Sequence, residues 1–416
     1  MHLLRKASSR IRCGLLRIIW ICSDRLLTAQ RRRPGRLMVG GRYRLAISHG
    51  YGGGSEAYLR DEFLSSVALP GDATILATPR GHSVRLSAEG PEGSSSGLVS
   101  QRWLLRRLRT RPPSLVVLNG LPGWNPVRDL LSALAKLPSS TEFTIPIHDY
   151  YAVCPSFTLI DATGKYCGVP PTYVCAACFP NVVGELASQF QTIAQWRDAW
   201  GPVLQRADLV TAFSVSSAEL LQRAHPFVEP RVAPHRLPVV LRRPAHRLER
   251  SIMPRVAVFG TLTHLKGADV LVEMARLGAR RGLLIEWHAF GSLFSTTTVP
   301  SIKTHQAYSV EEMPSLLEQH LIVAAVFPSI IPETFSFVAE ELASMAVPFS
   351  AFPLGAPHER FGGDRLVFFA KSVTPDALLV ATLDAIEAGW ERFSSEHSPR
   401  PERVRASKSM RHRAPE

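Results

Sequence analysis

From Arg42 onward the chain alternates two kinds of hydrophobic pattern. Short runs rich in β-branched and aromatic residues take turns with longer stretches whose apolar positions recur every three to four residues. The strand-like runs are YRLAISHG (43–50), DATILATPRG (72–81), SLVVLNG (114–120), TEFTIPIHD (141–149) and DLVTAFS (208–214). Between them SQRWLLRRLRT (100–110) and NPVRDLLSALAKL (125–137) read as helices, and EGPEGSSSG (89–97) as a polar loop. RLPVVLRRPAHRLERSIMP (236–254), rich in Pro and Arg, then interrupts the pattern as a connector. Alternation restarts with strands at 255–260, 283–291, 321–329, 347–352 and 365–370. GADVLVEMARLGA (267–279) predicts a helix with Val270, Leu271, Met274 and Leu277 on one face. A closing helix at 374–390 has Thr374 as cap and Pro375 at its first position. Repeated strand–helix alternation implies parallel sheets covered on both faces. The expected fold is α/β: two doubly wound, Rossmann-like domains, 42–245 and 252–390, facing a central cleft. Ligands of open α/β sheets bind at the carboxyl ends of the strands.

Length agrees, since 416 residues exceed one ordinary core. Charge adds the tails. Net charge is +13, but residues 1–44 hold twelve Arg or Lys against one acid, Asp24, and residues 398–416 hold six basic against two acidic side chains. The body between is close to neutral, which argues against nucleic acid as its partner. GLLRIIWIC (14–22) mixes apolar residues with flanking arginines, as a helix lying in an anionic bilayer interface would. It is too short to span a bilayer, and Arg17 interrupts it as a signal peptide. Residues 1–41 are thus expected to be a basic amphipathic membrane-surface anchor, or an extension without structure of its own. Residues 391–416 are expected to be a basic disordered tail. The expected location is cytoplasmic, peripheral at the inner face of the plasma membrane.

Three stretches carry candidate chemistry. GYGGGSEAY (50–58) leaves a strand and enters a helix, and its glycines let backbone amides approach a ligand. It is not the dinucleotide GxGxxG pattern, and a plain tight turn would look the same. FGTLTHLKGADV (259–270) repeats the arrangement with Lys266 at a helix start, where the helix dipole disfavours a cation unless an anion shares the site. FPSIIPETFSFVAEELASMAVP (327–348) places Glu333 in a loop and Glu341 two turns into a helix. Eight helical residues would separate them by about 12 Å. That is too far for an acid/base couple across one bond. It suits the two ends of an elongated ligand such as a nucleoside diphosphate sugar, or else a solvated helix face.

Taken in order, GGGSEAYLRD, HDYYAVCPS, ADLVTAFSVSSAEL, FGTLTHLKG and PETFSFVAEELASMAVPFSAFPLGAPHE resemble the retaining glycosyltransferases of family 4, which have the GT-B fold. The resemblance spans residues about 43 to 390, and its E-x7-E signature falls on Glu333 and Glu341. It implies a UDP-, GDP- or TDP-sugar donor held by the C-terminal domain and a glycan or lipid-linked glycan acceptor held by the N-terminal one. On this pattern Glu333 contacts the sugar hydroxyls and Glu341 the ribose. Thr334, Phe335 and Ser336 offer amides to the phosphates, and Lys266 neutralises the leaving diphosphate. Gly53 and Gly54 let the N-terminal loop close over it, and His148 stands beside the reacting sugar. The pattern needs no cofactor for catalysis. Two departures are visible: Thr261 stands after Gly260 where the family usually has Arg, and Ala346 where it has Gly.

The implied function is sugar transfer with retention, in the making of a cell-surface polysaccharide. The alternatives are a catalytically silent nucleotide-sugar or zinc-binding scaffold, which the missing Arg suggests, and a nucleotide-sugar epimerase of the same fold. Separately, Cys154, Cys167, Cys175 and Cys178 are spaced C-x12-C-x7-C-x2-C. In an insertion of 150–182 that is rich in turn formers, they predict a structural zinc site, an iron–sulfur centre, or unligated thiols packing an acceptor-side loop.

Overall fold

In a computed structural model of the chain, residues 42–64, 73–90, 93–250, 253–295, 297 and 299–394 are described. The expected membrane-surface segment and nearly all of the C-terminal tail, with Cys13 and Cys22, lie outside them. Among the described residues no helix is long and apolar enough to cross a membrane. The chain divides into two compact units between Pro234 and His235.

The first unit carries β1 (Tyr43–Ile47), β2 (Ala73–Arg80), β3 (Ser83–Gly90), β4 (Gly93–Ser100), β5 (Leu115–Leu118), β6 (Glu142–Ile147), β7 (Leu209–Ala212) and β8 (Arg231–Val232). They form one sheet in the order β4-β3-β2-β1-β5-β6-β7-β8. All pairs are parallel except β2–β3 and β3–β4. That hairpin corrects the polar loop expected at 89–97. Serine and glycine are weak strand formers, but Gly93–Ser100 form β4 through a continuous antiparallel ladder on β3, as the edge strand of the sheet, where little burial is required. The unit's helices are α1 (Gly54–Tyr58), α2 (Gln101–Thr110), α3 (Val127–Leu134), α4 (Thr172–Val182), α5 (Ile193–Arg206) and α6 (Val215–Ala224).

The second unit is all parallel. β9 (Arg255–Leu262), β10 (Glu286–Leu293), β11 (Ile302–His305), β12 (Ala324–Phe327), β13 (Phe349–Ala351) and β14 (Val367–Phe369) lie in the order β11-β10-β9-β12-β13-β14. Counted within the unit this is 3-2-1-4-5-6, the order of the doubly wound dinucleotide-binding fold, which reverses between β9 and β12. Its helices are α7 (Ala268–Arg280), α8 (Met313–Gln319), α9 (Phe337–Ser344), α10 (Gly355–Phe361) and α11 (Pro375–Phe393). Pro375 and the Thr374 cap start α11 as expected, with Thr374 Oγ1 accepting from the Ala377 amide at 3.3 Å. On α7 the buried stripe runs through Leu271, Met274, Ala275 and Gly278. Val270 and Leu277 are only half-buried, because the sheet faces the helix slightly to one side of the predicted arc. The Pro- and Arg-rich segment after His235 is packed on this unit: His235 stacks near Phe337 and His246 near Phe393.

Candidate functional site

A doubly wound sheet opens a crevice where its strand order reverses, because the loops there leave in opposite directions. In the second unit those loops follow β9 and β12. Gly260 and Thr261 stand at the end of β9 and Lys266 on the loop that follows it; the β12 loop carries Glu333 to Ser336. Two glycines lock the loops into place. Gly267, the N-cap of α7, has φ +88°, and a Cβ there would lie 2.1 Å from the Pro328 carbonyl oxygen. Gly355 has φ +57°, and a Cβ there would lie 2.5 Å from the Glu333 carbonyl oxygen. Only glycine accepts both the left-handed backbone and the close approach. Backbone bonds complete the seam, from the Ile330 amide to Leu265 at 3.1 Å and from the Ala356 amide to Glu333 at 2.8 Å.

The seam brings Lys266 and Glu333 together. Lys266 Nζ donates to both carboxylate oxygens of Glu333, at 2.5 and 2.7 Å, and Ser329 Oγ donates to Oε1 at 2.7 Å. Glu333 is buried, while the lysine head is partly exposed. A surface lysine would have no reason to reach a buried carboxylate 67 residues away. Pairing and burial therefore favour a built polar centre over a solvated helix face. Thr261 is exposed at the end of β9. Gly260 has φ +105°.

Glu341 behaves differently. The helix expected from Thr334 starts at Phe337, with Ser336 as its N-cap accepting from the Ala339 amide at 3.3 Å. Glu341 is then its fifth residue, little more than one turn in. The eight-residue spacing is thus not eight residues of helix, and the 12 Å separation does not apply: Ser336 is extended, and extended chain rises about twice as far per residue. The Glu341 side chain is 3% exposed, yet among the described residues its carboxyl has no hydrogen-bond or ion-pair partner. Burial, reinforced by Glu311, raises its pKa to about 7. Its charge in turn helps push the Tyr308 hydroxyl upward, after burial. Thr334 and Phe335 are buried, and the Phe335 ring meets His235 at 5.0 Å and the Arg360 guanidinium at 5.5 Å.

In the first unit the order reverses between β1 and β5, and Gly53, Gly54 and their neighbours fall on the β1 loop. Gly53 caps α1 with φ +85°, and Gly54 opens the helix. The loop is held by side chains: Trp124 Nε1 donates to the Ser48 carbonyl at 3.0 Å, and Asn119 Nδ2 to the Ser55 carbonyl at 3.1 Å. His49 Nε2 lies 2.9 Å from Ser55 Oγ. His148 follows β6, stacked on Phe213 at 4.8 Å and edge-on to Tyr58 at 4.9 Å. Beside it in sequence, Asp149 accepts from the Tyr151 amide at 2.8 Å, and burial raises its pKa to about 6.

The cysteine insertion is better packed than its turn-rich sequence suggests. Val153, Leu159, Val169 and Phe179 are buried in the core of the first unit. Trp196 of α5 donates from Nε1 to the Tyr151 carbonyl at 2.8 Å, and Arg197 to that of Val153. Cys175 and Cys178 sit on α4, and all four cysteines line one cavity of about 320 Å³ with Phe179 and Arg197. Burial raises the Cys154 pKa to about 11 and pushes that of Cys167 up. Among the described residues, the four sulfurs do not form a group whose donor atoms all lie within 4.8 Å of one another.

Sequence reasoning missed Ser329, Gly267 and Gly355. The glycines could have been suspected from their place beside candidate residues; nothing flags Ser329.

No protein-family model matches the chain, and no curated protein matches it in sequence. Among solved structures the chain is similar, at low identity, to the following. TarM superposes with TM-score 0.44 at 12% identity, over 76% of this chain, which spans 61% of the TarM chain. Sucrose-phosphate synthase from Thermosynechococcus elongatus gives 0.47 at 14% identity, over 85% and 96% of the two chains. Anabaena HepE, in complex with UDP-glucose, gives 0.45 at 13% identity, over 85% and 95%. Likenesses this distant do not speak to activity, which has to be argued from the site.

Proposed function

We propose that the chain is a GT-B glycosyltransferase that moves a sugar, with retention, from a nucleotide-sugar donor on the second unit to a glycan acceptor on the first. The supporting observation is the set of groups at the β9/β12 reversal. A buried carboxylate paired to a lysine precedes a helix N-terminus, and a second buried carboxyl without a partner stands a turn further on. A pyrophosphate on the α9 amides would take Lys266 from Glu333, freeing that carboxylate for sugar hydroxyls. Glu341 would accept from the ribose diol, which supplies the partner it lacks. As the glycosyl–phosphate bond breaks, lysine and helix amides stabilise the departing diphosphate. The acceptor hydroxyl attacks on the same face and gives its proton to the departing phosphate oxygen.

The test is transfer or donor hydrolysis with a panel of UDP-, GDP- and TDP-sugars, comparing wild type with Glu333→Ala. Turnover with one donor, lost in Glu333→Ala while UDP or GDP still binds, is the expected result. Nucleotide binding without turnover on any donor would instead favour a silent scaffold, the reading that exposed Thr261 in place of a second cation supports. A role in surface-polysaccharide assembly, with residues 1–41 resting on anionic membrane, belongs to the same proposal. It predicts that deleting residues 1–40 releases the protein from membranes.

A further inference from the structure

A second gathering of ligand-type side chains lies in the second unit, across β10, β11 and the end of α8. His288 is the third residue of β10, paired in register with Ala257 of β9 and Lys303 of β11. His305 closes β11, and His320 caps the C-terminus of α8 just before β12. The three are 15 and 17 positions apart in sequence and match no motif. The fold nevertheless brings their rings to centroid distances of 4.5 to 5.2 Å, with ligand nitrogens all within 4.8 Å of one another.

We propose that His288, His305 and His320 form a three-imidazole site for a borderline divalent metal of the zinc class, with Glu286 orienting His288. His288 is buried and its Nε2 lies 2.7 Å from Glu286 Oε1, so Nε2 carries the proton and Nδ1 faces inward as a lone pair. This carboxylate–histidine arrangement is the usual support of a metal ligand. His305 Nε2 stands 3.0 Å from that Nδ1, joined to it by a single proton. Two nitrogens on a tetrahedral zinc at about 2.05 Å would be about 3.3 Å apart. An ion would need this pair a few tenths of an ångström further apart, the His305 proton moved to Nδ1, and the His320 nitrogen, within 4.8 Å of the others, brought to a similar distance. His305 and His320 are half-buried, which leaves an approach for it.

The surroundings select the metal. Glu286 is shared with Lys303 at 2.6 Å and Arg255 at 3.2 Å, so the pocket has no surplus negative charge to attract calcium or magnesium. Imidazole nitrogens favour zinc, nickel, copper and cobalt. His288 near the start of β10 and His320 just before β12 lie toward the amino ends of those strands, whereas the β9/β12 crevice is formed by loops at the carboxyl ends. The metal's role would be to tie β10, β11 and the end of α8 together, independently of the donor reading.

The experiment uses the full chain stripped with chelator. Cobalt is titrated by visible absorption, and zinc in competition with a chromogenic chelator. One equivalent is expected, with the d–d bands of a nitrogen-ligated tetrahedral ion and no thiolate charge-transfer band. His305→Ala should weaken binding by about 100-fold or more, and Glu286→Gln by about 10- to 100-fold. The Cys175→Ser/Cys178→Ser pair should leave it unchanged. Should His305→Ala lose its circular dichroism, His320→Ala replaces it with the same expected loss. Three results overturn the proposal: no uptake at about 100 µM free zinc, a level that should saturate any working three-imidazole site; binding that survives the histidine substitutions; or binding that the cysteine pair abolishes. The first would leave the cluster as a hydrogen-bonded stack of neutral rings.

Discussion

Glu341 allows the role of the crevice to be tested through stability alone. Its pKa stands at about 7 in the folded protein against an ordinary value of 4.5. The folded state therefore holds the proton more tightly, and ionisation costs stability. The penalty is absent below about pH 4.5, develops as pH rises, and is complete above about 7. At about 1.4 kcal/mol per unit it amounts to about 3 kcal/mol. Glu341→Gln keeps the shape and removes the charge. It should be more stable than wild type at pH 8 by about 3 kcal/mol and nearly equal to it at pH 4, as followed by urea unfolding. If Glu341 also receives a ribose diol, the same substitution should weaken UDP or GDP binding about tenfold, the worth of a charge-assisted hydrogen bond. Wild-type affinity for nucleotide should fall as pH drops below about 7, because the acceptor becomes protonated. A variant that is stabilised and yet binds nucleotide as well as wild type refutes the ribose role. A variant with an unchanged pH profile refutes the burial argument itself.

Gly267→Ala should cost more than about 2 kcal/mol, because φ +88° and a contact of 2.1 Å to the Pro328 carbonyl leave a Cβ no room; thermal melting checks it, and a change under 0.5 kcal/mol would show that the seam yields. Ala346→Gly should act in the opposite direction. Ala346 holds φ +55° at the end of α9. There its amide bonds Ala343 at 2.9 Å and that of Val347 bonds Leu342 at 3.0 Å, the Schellman pair. Relieving about 1–2 kcal/mol of left-handed strain, less about 0.5–1 kcal/mol of glycine entropy, should stabilise by roughly 0.5–1 kcal/mol in urea unfolding. For the cysteines, one equivalent of zinc that survives His305→Ala and is lost in Cys175→Ser/Cys178→Ser would support tetrathiolate ligation. Less than about one-tenth of an equivalent before and after chelation and reloading would overturn it.

Alternation of strand-like and helix-like runs was enough to place ten strands to within a few residues, because a buried parallel strand must be continuously apolar and a covering helix must be striped; β3, β4, β8 and β11, which lie toward the sheet edges, carry no such run. Glu333, Lys266 and the glycine loops were legible for a similar local reason, each standing where a strand ends and a helix begins. Local sequence could not show partners. The hairpin at 83–100 exists because β2 offers an edge, not because serines favour strands. The cysteine insertion is ordered by Trp196 and Arg197, which lie beyond it in sequence. The α9 start moved from Thr334 to Phe337 because Ser336 caps it. The Lys266–Glu333 contact joins residues 67 apart, the unpartnered burial of Glu341 depends on what does not surround it, and the three histidines meet only across two strands and a helix end. Residue types and their periodicity determine elements, while pairing, burial and pKa belong to distances between elements, which only the tertiary structure decides.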